Sequence, residues 1–144
     1  RWYESVSEGL GIEVILPLWN LEPYRILREL ISKGFKAVFT CVKRPWFDVS
    51  WIGQELDTNR LDVLKELCVK HRIDPCGERG EYHTMVIDGP IFKKAIEISK
   101  FNVEESNEVL RMKIDLCSLK SKNVQMSNPL QGSIGHASVL GVPR

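Results

Sequence analysis

Residues 35–42 read Phe35-Lys36-Ala37-Val38-Phe39-Thr40-Cys41-Val42. This mostly apolar run, rich in aromatic and β-branched side chains, has the length and composition of a buried strand. Gly34 separates it from an upstream stripe of Ile26, Leu27, Leu30 and Ile31, which recur at helical spacing. Asn20 can cap that helix, and Glu22 and Pro23 suit its first turn. Further upstream, Ile12-Glu13-Val14-Ile15-Leu16 reads as another strand, ended where Pro17 removes a backbone donor. Trp2, Tyr3, Val6 and Leu10, closed by Gly9 and Gly11, read as the tail of an amphipathic helix. Helix, strand, helix and strand in succession predict an α/β architecture, with helical crossovers between parallel strands.

Downstream, residues 43–56 contain Pro45, Trp46, Trp51 and Gly53 without a clean period and read as irregular. From Asp57 or Thr58, either of which can cap, Leu61, Leu64, Leu67 and Cys68 mark a helix to about His71. The glycines and proline of residues 74–81 force a loop, and Tyr82 to Asp88 resumes as a strand until the Asp88-Gly89-Pro90 turn. Residues 94–102 and 109–117 read as two strands of a β-hairpin turning around Glu104-Glu105-Ser106-Asn107, with a short helix over 103–109 as the alternative. From about Leu119 no period persists, so the expected organisation is a folded domain over 1–118 and an extended or disordered tail over 119–144.

The chain has 144 residues, about one domain, with 43% hydrophobic and 27% charged residues. That composition supplies a packed core and argues against wholesale disorder. A formal charge of +1 is far from the basic balance of proteins that bind nucleic acid by counterion release, so no direct nucleic-acid partner is expected. All acidic residues lie at or before Asp115, whereas Lys120, Lys122 and Arg144 follow it. Residues 123–143 carry no Asp, Glu, Lys or Arg, but Asn128, Pro129, Gln131, Gly132 and Gly135 make them unfit for an apolar membrane helix. Arg1-Trp2-Tyr3-Glu4 resembles no signal peptide, and the four scattered cysteines suit a reducing compartment, so a cytoplasmic location is expected. The absence of an initial methionine predicts part of a longer chain. Cys68, His71 and Cys76 are the one arrangement that could be tested as zinc ligands, although their spacing matches no standard zinc ribbon.

The densest polar and glycine-rich stretch is Cys76-Gly77-Glu78-Arg79-Gly80-Glu81-Tyr82-His83-Thr84. Gly77 and Gly80 can take backbone angles closed to other residues and let a ligand approach the main chain. Glu78 and Glu81 can then face one concavity, where paired carboxylates could hold Mg²⁺, orient an amine or relay protons. In an alternating strand, Tyr82, Thr84, Val86 and Asp88 share one face, and His83 begins a mainly apolar other face with Met85 and Ile87. The plainer reading makes the glutamates a solvated turn and His83 a core residue. Gly77-x-x-Gly80 also matches the glycine spacing of loops that clamp RNA phosphates, but two glutamates around one arginine oppose that use.

The segment from Gly77 to Thr84, followed by Asp88-Gly89-Pro90-Ile91-Phe92, resembles the Gly-Glu-x-Gly-Glu-aromatic-His-Thr signature of the diphthine–ammonia ligase family of ATP pyrophosphatases. Pro17-Leu18-Trp19, Gly34-Phe35-Lys36-Ala37 and Trp51-Ile52-Gly53 with Asp57 fall in the same order as that family's C-terminal landmarks. The resemblance covers about residues 1–100. It implies the C-terminal part of a two-domain protein with an adenine-nucleotide α-hydrolase-like (HUP-type) N-terminal domain, whose Ser-Gly-Gly-Lys-Asp-Ser-type phosphate loop this chain lacks. It also implies activation of a carboxylate by ATP with Mg²⁺, release of pyrophosphate, and attack by ammonia to give an amide. The implied partners are ATP, ammonium and a protein carboxylate such as diphthine on a translation elongation factor. On that resemblance Glu78, Glu81 and His83 would be catalytic, and Gly77, Gly80, Tyr82 and Thr84 would contact substrate. Backbone N–H groups near Gly77 and Gly80 would support a developing oxyanion. The alternative is a nonenzymatic interaction domain that keeps the fold without ATP binding.

Overall fold

The computed structural model describes residues 2–122, in the order α1 (Trp2–Ser7), α2 (Pro23–Ser32), β1 (Lys36–Lys43), one 3-10 turn (Val49–Trp51), α3 (Thr58–His71), β2 (Tyr82–Asp88), β3 (Lys94–Ser106) and β4 (Val109–Ser121). Helices and strands alternate and end in a β-hairpin, as expected, but several details differ. Residues 12–16 form no strand, and Ile12 and Ile15 are exposed. No parallel pair forms among the described residues: the four strands build one antiparallel sheet in the order β2-β1-β4-β3. Hydrophobic periodicity reports that a segment is extended; it carries no information about the neighbour its backbone groups will find. The cap of α2 is Glu22 rather than Asn20. The Glu22 carboxylate accepts from the N–H groups of Tyr24 (2.9 Å) and Arg25 (2.7 Å), while Asn20 sits at φ 61 in the preceding turn.

Asp57 caps α3, its carboxylate accepting from Arg60 N–H at 2.7 Å. The stripe Leu61, Leu64 and Cys68 is buried against the sheet core. The segment without a period, 43–56, contributes Phe47, Trp51, Ile52 and Leu56 to that core. Phe39 of β1 meets Trp51 and Tyr82, each with ring centroids 5.1 Å away, and Phe47 meets the same two rings at 5.0 and 5.8 Å. Four aromatic side chains in tilted and edge-on contact thus join β1 and the start of β2 to the irregular segment.

One edge of β1 is taken by β2, and the other is divided. Cys41, Val42 and Lys43 pair with Arg111, Leu110 and Val109 of β4. Closer to the start of β1, Gly53 to Leu56 takes the same edge, with Phe39 N–H donating to Gln54 O (2.9 Å) and Leu56 N–H to Ala37 O (2.7 Å). The hairpin therefore leaves β1 after Arg111. Its far end is fixed by Lys122, whose ammonium reaches Asp88 Oδ1 at 2.6 Å and Gly89 O at 2.7 Å. Strand β4 runs to Ser121, past the tail boundary expected near 118, and residues 123–144 of that expected tail lie outside the described residues.

The hairpin turns at Asn107 and Glu108, both with positive φ (50° and 64°), rather than around Glu104–Asn107 or through a helix over 103–109, because Glu104, Glu105 and Ser106 still pair with β4. Two successive positive φ values mark a type I′ turn, which suits glycine at its second position and strains glutamate. Because the bond from Arg44 N–H to Glu108 O (2.8 Å) involves only backbone, Glu108→Gly preserves it. That replacement is expected to raise unfolding free energy by about 0.5–1 kcal/mol, measured by urea denaturation.

Candidate functional site

The motif lies in the loop between α3 and β2. Helix α3 ends at Arg72 in a left-handed conformation (φ 55°), after which Ile73 is buried and the chain folds back on itself. Asp74 Oδ1 accepts from Cys76 N–H (2.8 Å) and, more weakly, from Glu78 N–H (3.4 Å). Gly77 N–H donates to Asp74 O (3.1 Å) and Gly80 N–H to Gly77 O (3.0 Å). From the far side the Glu81 carboxylate, only 3% exposed, accepts from Asp74 N–H (2.9 Å) and Arg79 N–H (3.0 Å). The main-chain donors from Cys76 to Gly80 are therefore all spent inside the loop, and they do not form the oxyanion cradle expected of the glycines.

Gly77 is buried at φ 70°, and a Cβ there would stand 2.7 Å from Tyr82 O, so the close turn requires glycine. Gly80, at φ 85°, faces open space. Tyr82 is 4% exposed, with its ring in the aromatic core and its hydroxyl donating to Pro75 O at 2.5 Å. Burial pushes that phenol upward in pKa, and the neighbouring thiols and carboxylates push it the same way. Lys43 N–H donates to Glu81 O at 2.9 Å, tying the loop's last residue to β1.

Glu78, Arg79, His83 and Thr84 are exposed. His83 is thus not a core residue. Its carbonyl accepts from the Thr40 hydroxyl at 3.3 Å. Glu78 lines two adjoining clefts of about 220 and 290 Å³, both walled by Leu18 and Trp19, and the smaller is completed by Asn20, Asp74 and Cys76. The two motif glutamates do not share this concavity, because Glu81 turns inward and Glu78 outward. Sequence reasoning placed no site residue among Leu18, Trp19 and Asn20, although Pro17-Leu18-Trp19 carried part of the resemblance.

Cys76 is half-buried, with its sulfur 3.9 Å from Pro23 O. Burial first, then the carboxylates of Asp74 and Glu78, push its thiol up to about 11. Burial likewise raises Cys68, and it raises Tyr24 to about 12. No group of three His, Cys, Asp or Glu side chains among the described residues could hold a metal ion, so Cys68, His71 and Cys76 are not gathered as a zinc site.

A family model, the diphthamide synthase C-terminal domain, matches residues 22–121, and the chain belongs to that family. It is 33% identical over 116 residues to a diphthine–ammonia ligase of Schizosaccharomyces pombe, covering 79% of this chain and 19% of that protein. The human diphthine–ammonia ligase is 34% identical over 101 residues (69% of this chain, 38% of the relative), and that of Danio rerio 35% over 98 residues (66% and 37%). The chain thus spans between about a fifth and two fifths of the length of these relatives.

Two predictions follow from the loop's construction. Glu81→Ala removes the acceptor of two part-buried N–H groups, those of Asp74 and Arg79, and is expected to cost about 1–3 kcal/mol, whereas Glu78→Ala, at an exposed position, is expected to change stability by no more than about 0.5 kcal/mol. Urea denaturation of both variants checks the contrast, and equal costs would contradict it. The second concerns pH. A thiol whose folded pKa is raised favours its neutral form in the folded state, so its stabilising contribution is full below the ordinary value of 9.0 and is lost as pH rises through about 11. The urea midpoint should fall across that alkaline window, and Cys76→Ala should make the fall shallower.

Proposed function

We propose that these residues form the acyl- and ammonia-facing part of an ATP-dependent ligase that converts a carboxylate of the diphthine type into an amide. Family membership and the names of the relatives support this reading, and one structural observation carries it. The loop spends Asp74, Glu81 and Tyr82 on its own closure and leaves Glu78 as an exposed carboxylate over two clefts. A carboxylate held on a rigid loop can bind ammonium and position the amine beside an activated carbonyl. In this assignment Glu78 meets ammonium, while His83 and Thr84, exposed at the start of β2, contact the acyl substrate. Glu81, Gly77 and Tyr82 are positioning residues. Gly80 leaves space on the loop's outer side for substrate to approach.

The described residues do not fit ATP or Mg²⁺. They contain no lysine-bearing glycine loop of the phosphate-binding type and no cluster of metal ligands. No step through either group is derived from them, and the proposal assigns ATP and Mg²⁺ to other parts of a longer protein in which this chain is the C-terminal domain. A protein-borne carboxylate and a cytoplasmic setting belong to the same proposal. Cys41, Cys68, Cys76 and Cys117 are all free thiols, and no helix among the described residues is long and apolar enough to cross a membrane.

The test is amide formation from ATP and ammonium by the full-length protein carrying Glu78→Gln. We expect a loss of about a hundredfold, the scale of removing one electrostatic contact at a reacting centre, with an unchanged melting curve. Activity within about threefold of the parent, ~0.7 kcal/mol, would remove Glu78 from the reaction and favour an interaction domain without catalysis.

A further inference from the structure

The turn before α2 closes where Leu21 N–H donates to Leu18 O (3.3 Å), and its third residue, Asn20, stands at φ 61°. Glycine is the usual residue at such a position and asparagine the next, because other side chains crowd the backbone there. What asparagine adds to the turn is therefore its carboxamide. The helix does not use that group, since Glu22 caps α2, and the carboxamide makes no hydrogen bond among the described residues. Asn20 is exposed, and it lines the smaller of the two clefts together with Glu78.

Attack of ammonia on an activated carbonyl places negative charge on the acyl oxygen, and a donor already held at that position lowers the barrier. The glycine loop cannot supply one from Cys76 to Gly80, where each N–H is bonded within the loop. Asp74 and Glu78, which also line the cleft, carry carboxylates that accept only and would repel the developing charge. The Cys76 thiol is a weak donor, half-buried beside Pro23 O. Asn20 alone among the lining residues brings a carboxamide, with two N–H donors and no charge. Its neighbours Leu18, Leu21, Pro23 and Ile26 are apolar, and an apolar surround strengthens a hydrogen bond to charge.

On the reading above, in which Glu78 meets ammonium, we propose that Asn20 is a catalytic residue of the same cleft, its Nδ2–H donating to the acyl oxygen as ammonia adds. In that step the nitrogen lone pair forms the C–N bond and the carbonyl π pair moves onto oxygen. The pair returns as the bond to the leaving group breaks with its electrons, and the two protons that ammonium sheds pass to water. Glu78 gathers the cation before the bond forms, and Asn20 stabilises the anion while it forms. A donor that matters only once charge develops acts on kcat rather than on ammonium binding.

The test compares Asn20→Gly, Asn20→Asp and Glu78→Gln in the full-length protein, by amide formation from ATP and ammonium with a melting curve for each. Glycine suits the positive φ, so Asn20→Gly keeps the turn while removing the donor. We expect kcat to fall about a hundredfold, the scale of deleting one oxyanion donor, with the KM for ammonium within about threefold of the parent and the melting curve unchanged. Asn20→Asp tolerates the same backbone but cannot donate when ionised, and should lose as much; if Asn20→Gly melts lower, Asn20→Asp carries the decision. A kcat within about threefold of the parent in the Asn20 variants, while Glu78→Gln loses activity, would overturn the assignment of Asn20 and leave that of Glu78 standing. A raised KM for ammonium at unchanged kcat would also overturn it. Near-parental activity in all three variants would overturn both assignments together.

Discussion

A carboxylate withdrawn from water costs several kcal/mol unless hydrogen bonds replace its hydration, and Glu81 obtains two of them from backbone donors of its own loop. The rest of the site depends on that exchange. With Asp74 N–H and Arg79 N–H satisfied by one buried carboxylate, the loop can leave α3, turn at Gly77 and enter β2 without orphaned donors. The carbonyl of Glu81 then meets β1 through Lys43, and Tyr82, one residue on, enters the aromatic cluster of Phe39, Phe47 and Trp51. Loop closure and core packing are thus adjacent events in the chain, and the rigidity of the core passes directly to the position of Glu78.

The motif's two glutamates accordingly have opposite surroundings although three residues separate them. Glu81 points into the protein and is held by main-chain donors. Glu78 points out, beside Trp19 and Asn20 of the turn before α2. An extended N-terminal stretch and a glycine loop from the middle of the chain meet at this point, which explains how landmarks far apart in sequence can serve one site. The absence of a strand at 12–16 is consistent with this, since the residues that follow form a turned wall rather than a sheet edge.

Much of this was legible in the sequence. The stripe of α3, the strand of β2 and the hairpin were read from periodicity and turn residues, and the motif was singled out by its glycines and paired carboxylates. Strand direction was not legible, because Ala37, Phe39 and Val42 look equally buried beside a parallel or an antiparallel neighbour. The core role of 43–56 was hidden because Phe47, Trp51, Ile52 and Leu56 follow a loop and a 3-10 turn rather than one period. Which glutamate faces inward was also beyond a local pattern. It follows from where Asp74 and Arg79 place their N–H groups once the loop has closed, and the left-handed turn at Arg72, with no glycine to signal it, helps to set that path.

In the proposed function Glu78 meets ammonium, while Glu81 holds the loop. Carbon NMR of the glutamate carboxyl groups in the full-length protein, followed as ammonium is added, tests it most directly. The account predicts that the Glu78 carboxyl resonance moves to saturation while that of Glu81 stays in place. Movement of Glu81 with Glu78 unchanged would contradict it.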